Sequence, residues 1–568
     1  MIGRDVFKQT SLPPMEAFYS KLKMEGITEY EYKRAQEMWT TYKCKNMQDF
    51  YNVYVKLDVV LLADCIENFR RVGMQAYGID PAHCWTLAGY TWQCCLKMTD
   101  LELQLITDPN IYLMFENAIR GGVSTVSNRY SKANNKYMSD YDSSQPSSYI
   151  MSLDVVNLYG YCMSFKLPCG NFRFIDEPDK FDFRSVDLDG EKGYLLEVDL
   201  SYPPEIHDAH SDLPLAPEHI TVTPQMLSEY NSTDDTFRGQ TCLVPNLRDK
   251  SRYVLHIRNL KLYTDLGMKV DRIHKVIEFD QKAFLAPYIA FNTEKRRMAR
   301  SSFEKDFFKL MSNAVYGKTI EQLRNRVNVK LVTDPNKVKK CIRKPTCKRF
   351  EIINNDLVMI LMTKQKLLMN KPIYAGMTIL DIAKTVVYQF HYNYMMSKYS
   401  PDRCKLLFTD TDSLTYEVRT DDIYEDMKPV AEKMFDCSDY PTSHPLYSET
   451  NKKRVGCWKD ENSSDSPISE FVGLRAKLYS ISSAKSNKIK AKGISKSYKI
   501  QKLRHETFLK VLRSKVPTSA KFCRFQSANH VLKTVLVDKL CLSPFDCKRY
   551  ILPDGIRTLA FGHRSIGH

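Results

Sequence analysis

The sequence lacks the features that mark several large classes of protein. Its 568 residues include 16 cysteines but no C-x-x-C pair, so neither a zinc ribbon nor a disulfide framework is indicated, and reduced thiols are expected. No apolar run approaches the roughly 18 residues that a membrane helix needs. The opening MIGRDVFKQT is charged and has no apolar core, so no signal peptide is expected. These absences predict an intracellular protein, neither secreted nor membrane-bound, in a compartment that the sequence does not specify.

Positive charge is what the sequence has in excess. The formal net charge is +16, and residues 485–568 alone hold 19 lysines and arginines against 4 acidic residues. So strong a segregation favours a polyanion-binding domain over a merely solvated basic surface. Hydrophobic residues make up 43% of the chain and aromatic residues 11%, which indicates several folded domains with substantial cores.

Two carboxylates stand close together in FTDTDSLTYEV, residues 408–418. The alternation of side chains around Asp410 and Asp412 predicts a β-hairpin with this pair at its tip. One interpretation is an ordinary Asx-type turn. The other is a divalent-cation site, because two like charges so close repel one another and Mg²⁺ prefers oxygen ligands.

A third carboxylate, Asp154, ends the apolar strand YIMSLD. A charge beside a sheet core is costly unless it is paired or bound to metal. Asp154 lies 258 residues before Asp412, so only the fold could bring the two together. Carboxylates held on strands are what a two-metal phosphoryl transferase requires.

A helix is predicted for FEKDFFKLMSNAVYGKT. At 100° per residue, Lys309, Asn313 and Tyr316 share one face, with Gly317 at its edge. The alternative is that Lys309 is only a solvated charge on a helix whose apolar side chains face the core. A cation for phosphates beside an aromatic ring for a base is the chemically coherent reading.

Four stretches resemble, in order, signatures of the family B DNA polymerases: DVVNLYG at 154–160, KLMSNAVYG at 309–317, DTDS at 410–413 and LRAKLYS at 474–480. Further stretches, among them RGGVSTVSNRYSKANNKYM, VGCWKDE and ILPDGIRTLAFGH, are similar to the organellar, viral and transposon branch, which includes the protein-primed enzymes of Polinton/Maverick elements and linear plasmids. Val156, where that branch often has Asn, is a mild departure.

The resemblance implies roles for individual residues. Asp154 and Asp412 would be the metal ligands for two Mg²⁺ ions, with Mn²⁺ as a substitute. The Val155 carbonyl would lie between the ions, and Asp410 would be an accessory catalytic carboxylate.

Other residues are implied to contact the substrates. Those around the incoming nucleotide are Tyr159, Arg296 or Arg297, Lys309, Asn313, Tyr316 and Gly317. Tyr159 would lie beneath the sugar and exclude a 2′-OH, while the basic residues would hold the triphosphate. Lys477 and Tyr479 would contact the primer end. The R-G-G at 120–122 resembles a template-binding Y-x-G-G motif without its Tyr, so the resemblance points less strongly to Arg120, Gly121 and Gly122 as DNA contacts.

The fold implied is an α+β right-hand polymerase of palm, fingers and thumb behind a remnant of an RNase H-like 3′–5′ exonuclease domain. The expected regions are an exonuclease remnant and linker at 1–118, the first part of the palm with an insertion at 119–286, fingers helices at 287–326, a β-ribbon insertion at 327–375, the second part of the palm at 376–480, and a basic thumb at 481–568.

Exonuclease activity is expected to be absent. Of three exonuclease motifs only Y-x-x-x-D has a match, Tyr54 to Asp58, and one carboxylate cannot support two-metal hydrolysis. Val59, Leu62 and Ile66 share another stripe of the same helix, which predicts that this stripe packs against the protein. The chain is interpreted as the product of a gene shortened at its 5′ end.

The predicted function is DNA-directed DNA polymerisation, adding dNMPs to a primer 3′-OH, in a protein from a mobile element or a virus-derived gene. The expected partners are primer–template DNA, dNTPs and a terminal priming protein. Two alternatives stay open. One is a decayed transposon polymerase that binds nucleic acid without catalysis. The other is a metal-dependent nuclease, although a nuclease would need neither Tyr159 nor the Lys309 helix.

Overall fold

The computed structural model describes residues 4–231, 237–463, 466–528 and 531–566, and it is an α+β protein. Within these ranges, no helix is both long enough and apolar enough to cross a bilayer.

Helices dominate the first 118 residues. The α-helices are Glu29–Thr41, Met47–Tyr77, Leu87–Thr99 and Pro109–Asn117, and 3₁₀ turns lie at Arg4–Lys8, Met15–Phe18 and Pro81–His83. The longest begins where the Asn46 side chain accepts a hydrogen bond from the amide of Asp49, and it ends at Gly78, whose φ of 63° is left-handed. No described residue here belongs to a sheet, so the exonuclease remnant stays a prediction.

The predicted packing of the stripe on that long helix is wrong. Val59, Leu62 and Ile66 are 60%, 62% and 49% exposed. Only the two ends of the helix are buried, through residues such as Phe50 and Tyr77. The middle of the helix carries apolar side chains on nearly every side, so the stripe could not indicate which side, if any, would be buried.

A nine-stranded antiparallel sheet forms the centre of the molecule. Seven strands follow one another in the order Ser124–Val126, Cys404–Asp410, Ser413–Arg419, Ser148–Val155, Ile468–Arg475, Leu478–Ser483 and Asn487–Ala491. Trp458–Asp460 also pairs with Ser148–Val155, and Tyr130–Lys132 with Ile468–Arg475. The sheet therefore joins segments more than 250 residues apart in the sequence, and it reaches beyond the expected palm limit at 480.

A second sheet lies beside the first. Its strands run in the order Leu167–Phe174, Lys269–Lys282, Lys192–Ser201 and Lys250–His256, and Glu218–Val222 pairs separately with Gln240–Val244. Short helices at Leu158–Met163, His207–His210 and Ile257–Asp265 connect these strands.

Two helices, Ala286–Met298 and Ser302–Thr319, pack side by side, with a three-stranded sheet after them. That sheet consists of Val327–Val332, Leu357–Thr363 and Cys347–Asn354, with a helix at Pro335–Ile342. The almost wholly buried helix Ile373–Tyr388 follows and continues through a π-helical stretch, Gln389–Met396, into Ser397–Arg403. Small helices at Ile423–Met427 and Ala431–Met434 complete this part. The domain boundaries stay a prediction.

The basic C-terminal region shares a core with the last three strands of the central sheet. Helices Lys496–Lys502 and His505–Ser514 lie with the hairpin of Thr518–Ala528 and Val531–Leu542, and Phe508, Phe522 and Leu542 are buried between them. The chain then forms the small pair Tyr550–Ile551 and Thr558–Leu559 beside the central sheet.

A buried arginine joins this C-terminal segment to the central sheet. Arg129 is 1% exposed, and its guanidinium donates to the carbonyl oxygens of Gly555 (2.9 Å), Pro544 (2.6 Å) and Leu474 (3.2 Å). These carbonyls satisfy the two terminal nitrogens of the guanidinium, whereas its buried Nε has no hydrogen-bond partner in the described structure.

We expect Arg129→Met to lower the free energy of unfolding by about 3–5 kcal/mol, because three buried carbonyls lose their charged donor. Thermal and urea unfolding would measure the loss. Arg272→Met, at an exposed arginine of a neighbouring sheet, is the matched control and should change stability by less than about 0.5 kcal/mol. Equal effects of the two changes would contradict the structural role of Arg129.

Candidate active site

Sheet pairing brings Asp154 and Asp412 together. Asp154 lies opposite Ser413 in the antiparallel register, and the amide of Val155 donates to the carbonyl oxygen of Asp412 at 2.9 Å. Both aspartates line one cavity of about 420 Å³. The separation of 258 residues is thus closed by one pair of neighbouring strands.

The turn that carries Asp412 is tight. Thr411 has a φ of 68°, its amide donates to the Val123 carbonyl at 2.8 Å, and the amide of Asp412 donates to the Asp410 carbonyl at 2.8 Å. A Cβ added to Gly122 would lie 2.3 Å from the Thr411 hydroxyl oxygen. Gly122 therefore permits the close approach that supports the turn from behind.

The carboxylate pair is electrostatically strained. Burial, followed by the negative charges of Asp412 and Glu461, raises the pKa of Asp154 to about 8. Burial and then the charge of Asp410 raise the pKa of Asp412. The buried Oδ1 of Asp154 has no hydrogen-bond partner in the described structure. A divalent cation would relieve both effects, so the pair fits one.

No group of three or more His, Cys, Asp or Glu side chains in a metal-binding arrangement occurs among the described residues. An ion held by Asp154 and Asp412 would therefore take its other ligands from water, a substrate and the backbone, with the Val155 carbonyl as a candidate. This is how Mg²⁺ is commonly bound beside phosphates.

Asp410 has a different environment. The ammonium group of Lys477 pairs with both of its carboxylate oxygens, at 2.6 and 2.8 Å. Tyr479 is 8% exposed and packs on Phe408 with ring centroids 4.4 Å apart. None of these side chains lines the cavity, although all lie beside the Asp410–Asp412 turn.

The two packed helices supply further residues of the cavity. Arg296, Lys309 and Asn313 line the cavity, and the Arg296 Nε and Asn313 Oδ1 are buried without hydrogen-bond partners in the described structure. Arg297 is exposed and pairs with Glu294 at 2.9 Å. Of the two arginines that the sequence offered, Arg296 is the one at the cavity.

Tyr159 lines the same cavity. It lies on the helix that Asn157 caps, and its ring stacks on that of Tyr316 with centroids 4.5 Å apart and planes at 13°. Gly317 is exposed, and a Cβ there would meet no atom within 4 Å. The predicted nucleotide contacts Tyr159, Tyr316 and Gly317 are therefore neighbours in space.

Arg120 is turned inward. Its guanidinium lies 3.9 Å from the centroid of the Tyr253 ring and donates to the Val254 carbonyl at 2.8 Å. The Arg120 carbonyl in turn accepts from the ammonium group of the buried Lys384 at 2.8 Å. Gly121 is exposed. The side chain of Arg120 thus has structural contacts, and its role as a DNA contact stays a prediction.

The sequence reasoning missed one wall of the cavity. That wall is lined by Asp436, Asp439, Lys453, Lys459, Asp460, Glu461 and Ser463. Burial raises the pKa of Asp460 to about 6 although the Tyr440 hydroxyl donates to it at 3.0 Å. The signal was present, because VGCWKDE packs four charged or aromatic residues into a short stretch. The family resemblance includes this stretch, but it implies no chemical role for these residues.

Tyr54 and Asp58 lie on the exposed middle of the long N-terminal helix, outside the cavity. Neither has a metal-binding cluster around it in the described ranges.

Comparison with known proteins defines the class. The model of the family described as DNA polymerase type B, organellar and viral, matches residues 15–393. The chain therefore belongs to the organellar and viral type B DNA polymerases, which confirms the resemblance and the right-hand fold class. The origin from a mobile element stays a prediction. No curated protein sequence matches the chain.

Solved structures of phi29 DNA polymerase are similar to this chain. The ternary complex with primer–template DNA and incoming nucleotide has 14% identity and a TM-score of 0.49, with 81% of this chain and 68% of that chain covered. The post-translocation binary complex with primer–template DNA has 16% identity and a TM-score of 0.49, with 83% and 69% covered. The family B polymerase of Pyrobaculum calidifontis has 10% identity and a TM-score of 0.28, with 80% and 41% covered. Since these scores lie below 0.5, the assignment depends on the family match.

The raised pKa of Asp154 has a consequence for stability. Between the ordinary carboxyl pKa and about 8, the folded protein keeps a proton on Asp154 that the unfolded chain releases. Stability should therefore fall as pH rises through this window, by about 1.4 kcal/mol for each pKa unit of the shift.

We expect Asp154→Asn, without divalent cations, to melt at a higher temperature than the parent protein at about pH 8–9 and close to it at about pH 4. Added Mg²⁺ should narrow the difference by stabilising only the parent. Differential scanning calorimetry across pH measures this, with Asp402→Asn at an exposed site as the control. Parallel melting profiles for parent and Asp154→Asn would show that Asp154 is not desolvated.

Proposed function

We propose that this protein is a DNA-directed DNA polymerase that adds dNMPs to the 3′-OH of a primer. The observation that carries the proposal is the convergence on one cavity of the carboxylates of Asp154 and Asp412 and the cations of Arg296 and Lys309. In this reaction the primer 3′-oxygen bonds to the α-phosphorus, the bond to pyrophosphate breaks, and the 3′-OH loses its proton.

The metal site supports this chemistry. Bound Mg²⁺, held by Asp154 and Asp412, would supply charge neutralisation and activation of the 3′-oxygen, with Mn²⁺ as a substitute. Asp154 lies on a strand and Asp412 in the tight turn before the strand paired with it, which limits the reorganisation needed when substrate arrives.

The remaining residues would bind and orient the nucleotide. Arg296 and Lys309 would neutralise the triphosphate, because cations in a partly buried cavity attract phosphates strongly. Asn313 presents an unsatisfied oxygen toward the same space. Tyr159, stacked on Tyr316, would bear against the sugar and exclude a 2′-OH.

DNA would bind along the basic C-terminal region, residues 485–568, and the part of the central sheet beside it. Lys477 pairs with Asp410 beside the turn, where it could exchange that partner for a primer phosphate. Tyr479 lies against the sheet beneath it. Primer–template DNA and dNTPs are the proposed partners, and a terminal priming protein is a further one, which the resemblance to protein-primed enzymes implies.

A nuclease is less well supported. Hydrolysis would need the metal pair, but it would need neither the cavity residues Arg296, Lys309 and Asn313 nor the ring of Tyr159. A decayed polymerase is the second candidate, and the intact pair with Lys309 argues against loss of the site.

We expect Asp154→Asn and Asp412→Asn each to slow primer extension by roughly a thousandfold, because each removes a ligand that acts on the transition state. Single-turnover extension of a labelled primer with dNTP and Mg²⁺ measures the rate. Asp402→Asn, at an exposed aspartate outside the cavity, should keep the parent rate. Extension that survived both cavity changes would refute the assignment, and a folded parent that bound DNA without extending it would support the decayed alternative.

We also expect no 3′–5′ proofreading. Asp64 lies 120° and Glu67 180° around the helix from Asp58, so the three carboxylates cannot converge on one ion. A 5′-labelled single strand incubated with protein and Mg²⁺, without dNTP, should keep its length. Stepwise shortening that vanished in Asp58→Ala but persisted in Asp412→Asn would contradict this expectation.

A further inference from the structure

One loop of the missed wall is fixed to the catalytic strand. The amide of Gly456 donates to the Val156 carbonyl at 2.9 Å, and the amide of Val156 donates to the Cys457 carbonyl at 2.8 Å. The loop of residues 451–457 is thus hydrogen-bonded two residues after Asp154. Its position relative to the carboxylate pair is set by the sheet.

The conformation of this loop is narrowly defined. Lys453 has a φ of 58°, and its amide donates to the Asp436 carboxylate at 2.8 Å. The side-chain amide of the buried Asn451 donates to the carbonyls of Glu432 (2.7 Å) and Phe435 (2.9 Å). A Cβ on Gly456, whose φ is 85°, would lie 2.6 Å from the Tyr161 ring. These constraints place the half-buried Lys453 side chain at the cavity.

The cations of the cavity differ in whether they are paired. Lys459 forms an ion pair with Asp439 at 2.5 Å. Across the ranges that the structure describes, Arg296, Lys309 and Lys453 have no side-chain hydrogen bond or ion pair, and all three line the cavity. Burial and the positive charges of Lys305 and Arg296 lower the pKa of Lys453. Like charges gathered in this way need an anion between them.

We propose that Lys453, together with Arg296 and Lys309, binds the terminal phosphates of the incoming nucleotide and the pyrophosphate formed from them. This inference rests on the proposed function for the identity of the polyphosphate. An ammonium group is suited to such a ligand because it binds phosphate as a point charge without a fixed orientation.

The attachment of Lys453 gives it a distinct role. Arg296 and Lys309 lie on a pair of helices, whereas Lys453 lies on a loop bonded to the strand that carries Asp154. Its distance from the carboxylates therefore does not depend on how those helices are placed. Lys453 would therefore hold the pyrophosphate leaving group at a fixed position relative to the metal site.

The test is binding of inorganic tripolyphosphate with Mg²⁺, measured by isothermal titration calorimetry, which needs no catalysis. Lys453→Ala should weaken binding by about tenfold or more, the loss expected for one charge-assisted hydrogen bond. Lys453→Arg should recover most of the affinity. Lys452→Ala is the matched control, because the neighbouring Lys452 is exposed and pairs with Glu449 at 2.6 Å. Lys453→Met, which keeps the aliphatic stem, repeats the measurement if the alanine variant melts early.

Equal affinity in Lys453→Ala and parent, or a parent that does not bind tripolyphosphate, would overturn the inference. In a protein that extends primers, Lys453→Ala should also raise KM for dNTP and for pyrophosphate in the reverse reaction more than it lowers kcat. If primer extension failed while tripolyphosphate binding still depended on Lys453, the proposed function would be refuted. The phosphate-binding role of Lys453 would then still be supported.

Discussion

The antiparallel register between the strands Ser148–Val155 and Ser413–Arg419 determines whether the two carboxylates meet. Asp154 lies opposite Ser413, and Leu153 opposite Leu414, along seven consecutive pairs. Since side chains alternate across a sheet, a shift of one residue would turn Asp154 to the other face and also exchange every apolar side chain along the strand. Seven of the eight residues of the strand Ser148–Val155 are buried, so the core on both faces opposes such a shift. The geometry of the site is thereby maintained by ordinary hydrophobic packing.

The packing that fixes the geometry of the site also makes the unliganded site unfavourable in free energy. Desolvation disfavours the charged forms of Asp154 and Asp412, and repulsion disfavours the unpaired Arg296, Lys309 and Lys453 across the cavity. Metal ions at the carboxylates and phosphates at the cations would remove both penalties together. An arrangement that is strained alone and balanced with its ligands is the usual compromise between stability and function.

The sequence predicted those parts of the site that depend on local periodicity. The hairpin at Asp410–Asp412 and the shared face of Lys309, Asn313 and Tyr316 follow from periods of two and 3.6 residues, and the cavity and ring stack are consistent with them. Arg296 and Arg297 could not be separated, because neighbours 100° apart on a helix are distinguished only by what packs against them. The same limit explains the wrong expectation for Val59, Leu62 and Ile66, since a helix that is apolar all round does not reveal its partner.

The acidic residues around the cavity show why tertiary structure is needed to identify the metal ligands. Five of them have a partner nearby, namely Asp410 with Lys477, Asp439 with Lys459, Glu461 with Lys488, Asp436 with backbone amides, and Asp460 with Tyr440. In the described structure no other residue pairs with the carboxylates of Asp154 or Asp412. Residue type alone makes all seven equivalent candidates for a divalent ion. Five of them have partners, so Asp154 and Asp412 are the two carboxyl groups left without one, and a cation entering the cavity would bind that pair and displace the proton from Asp154.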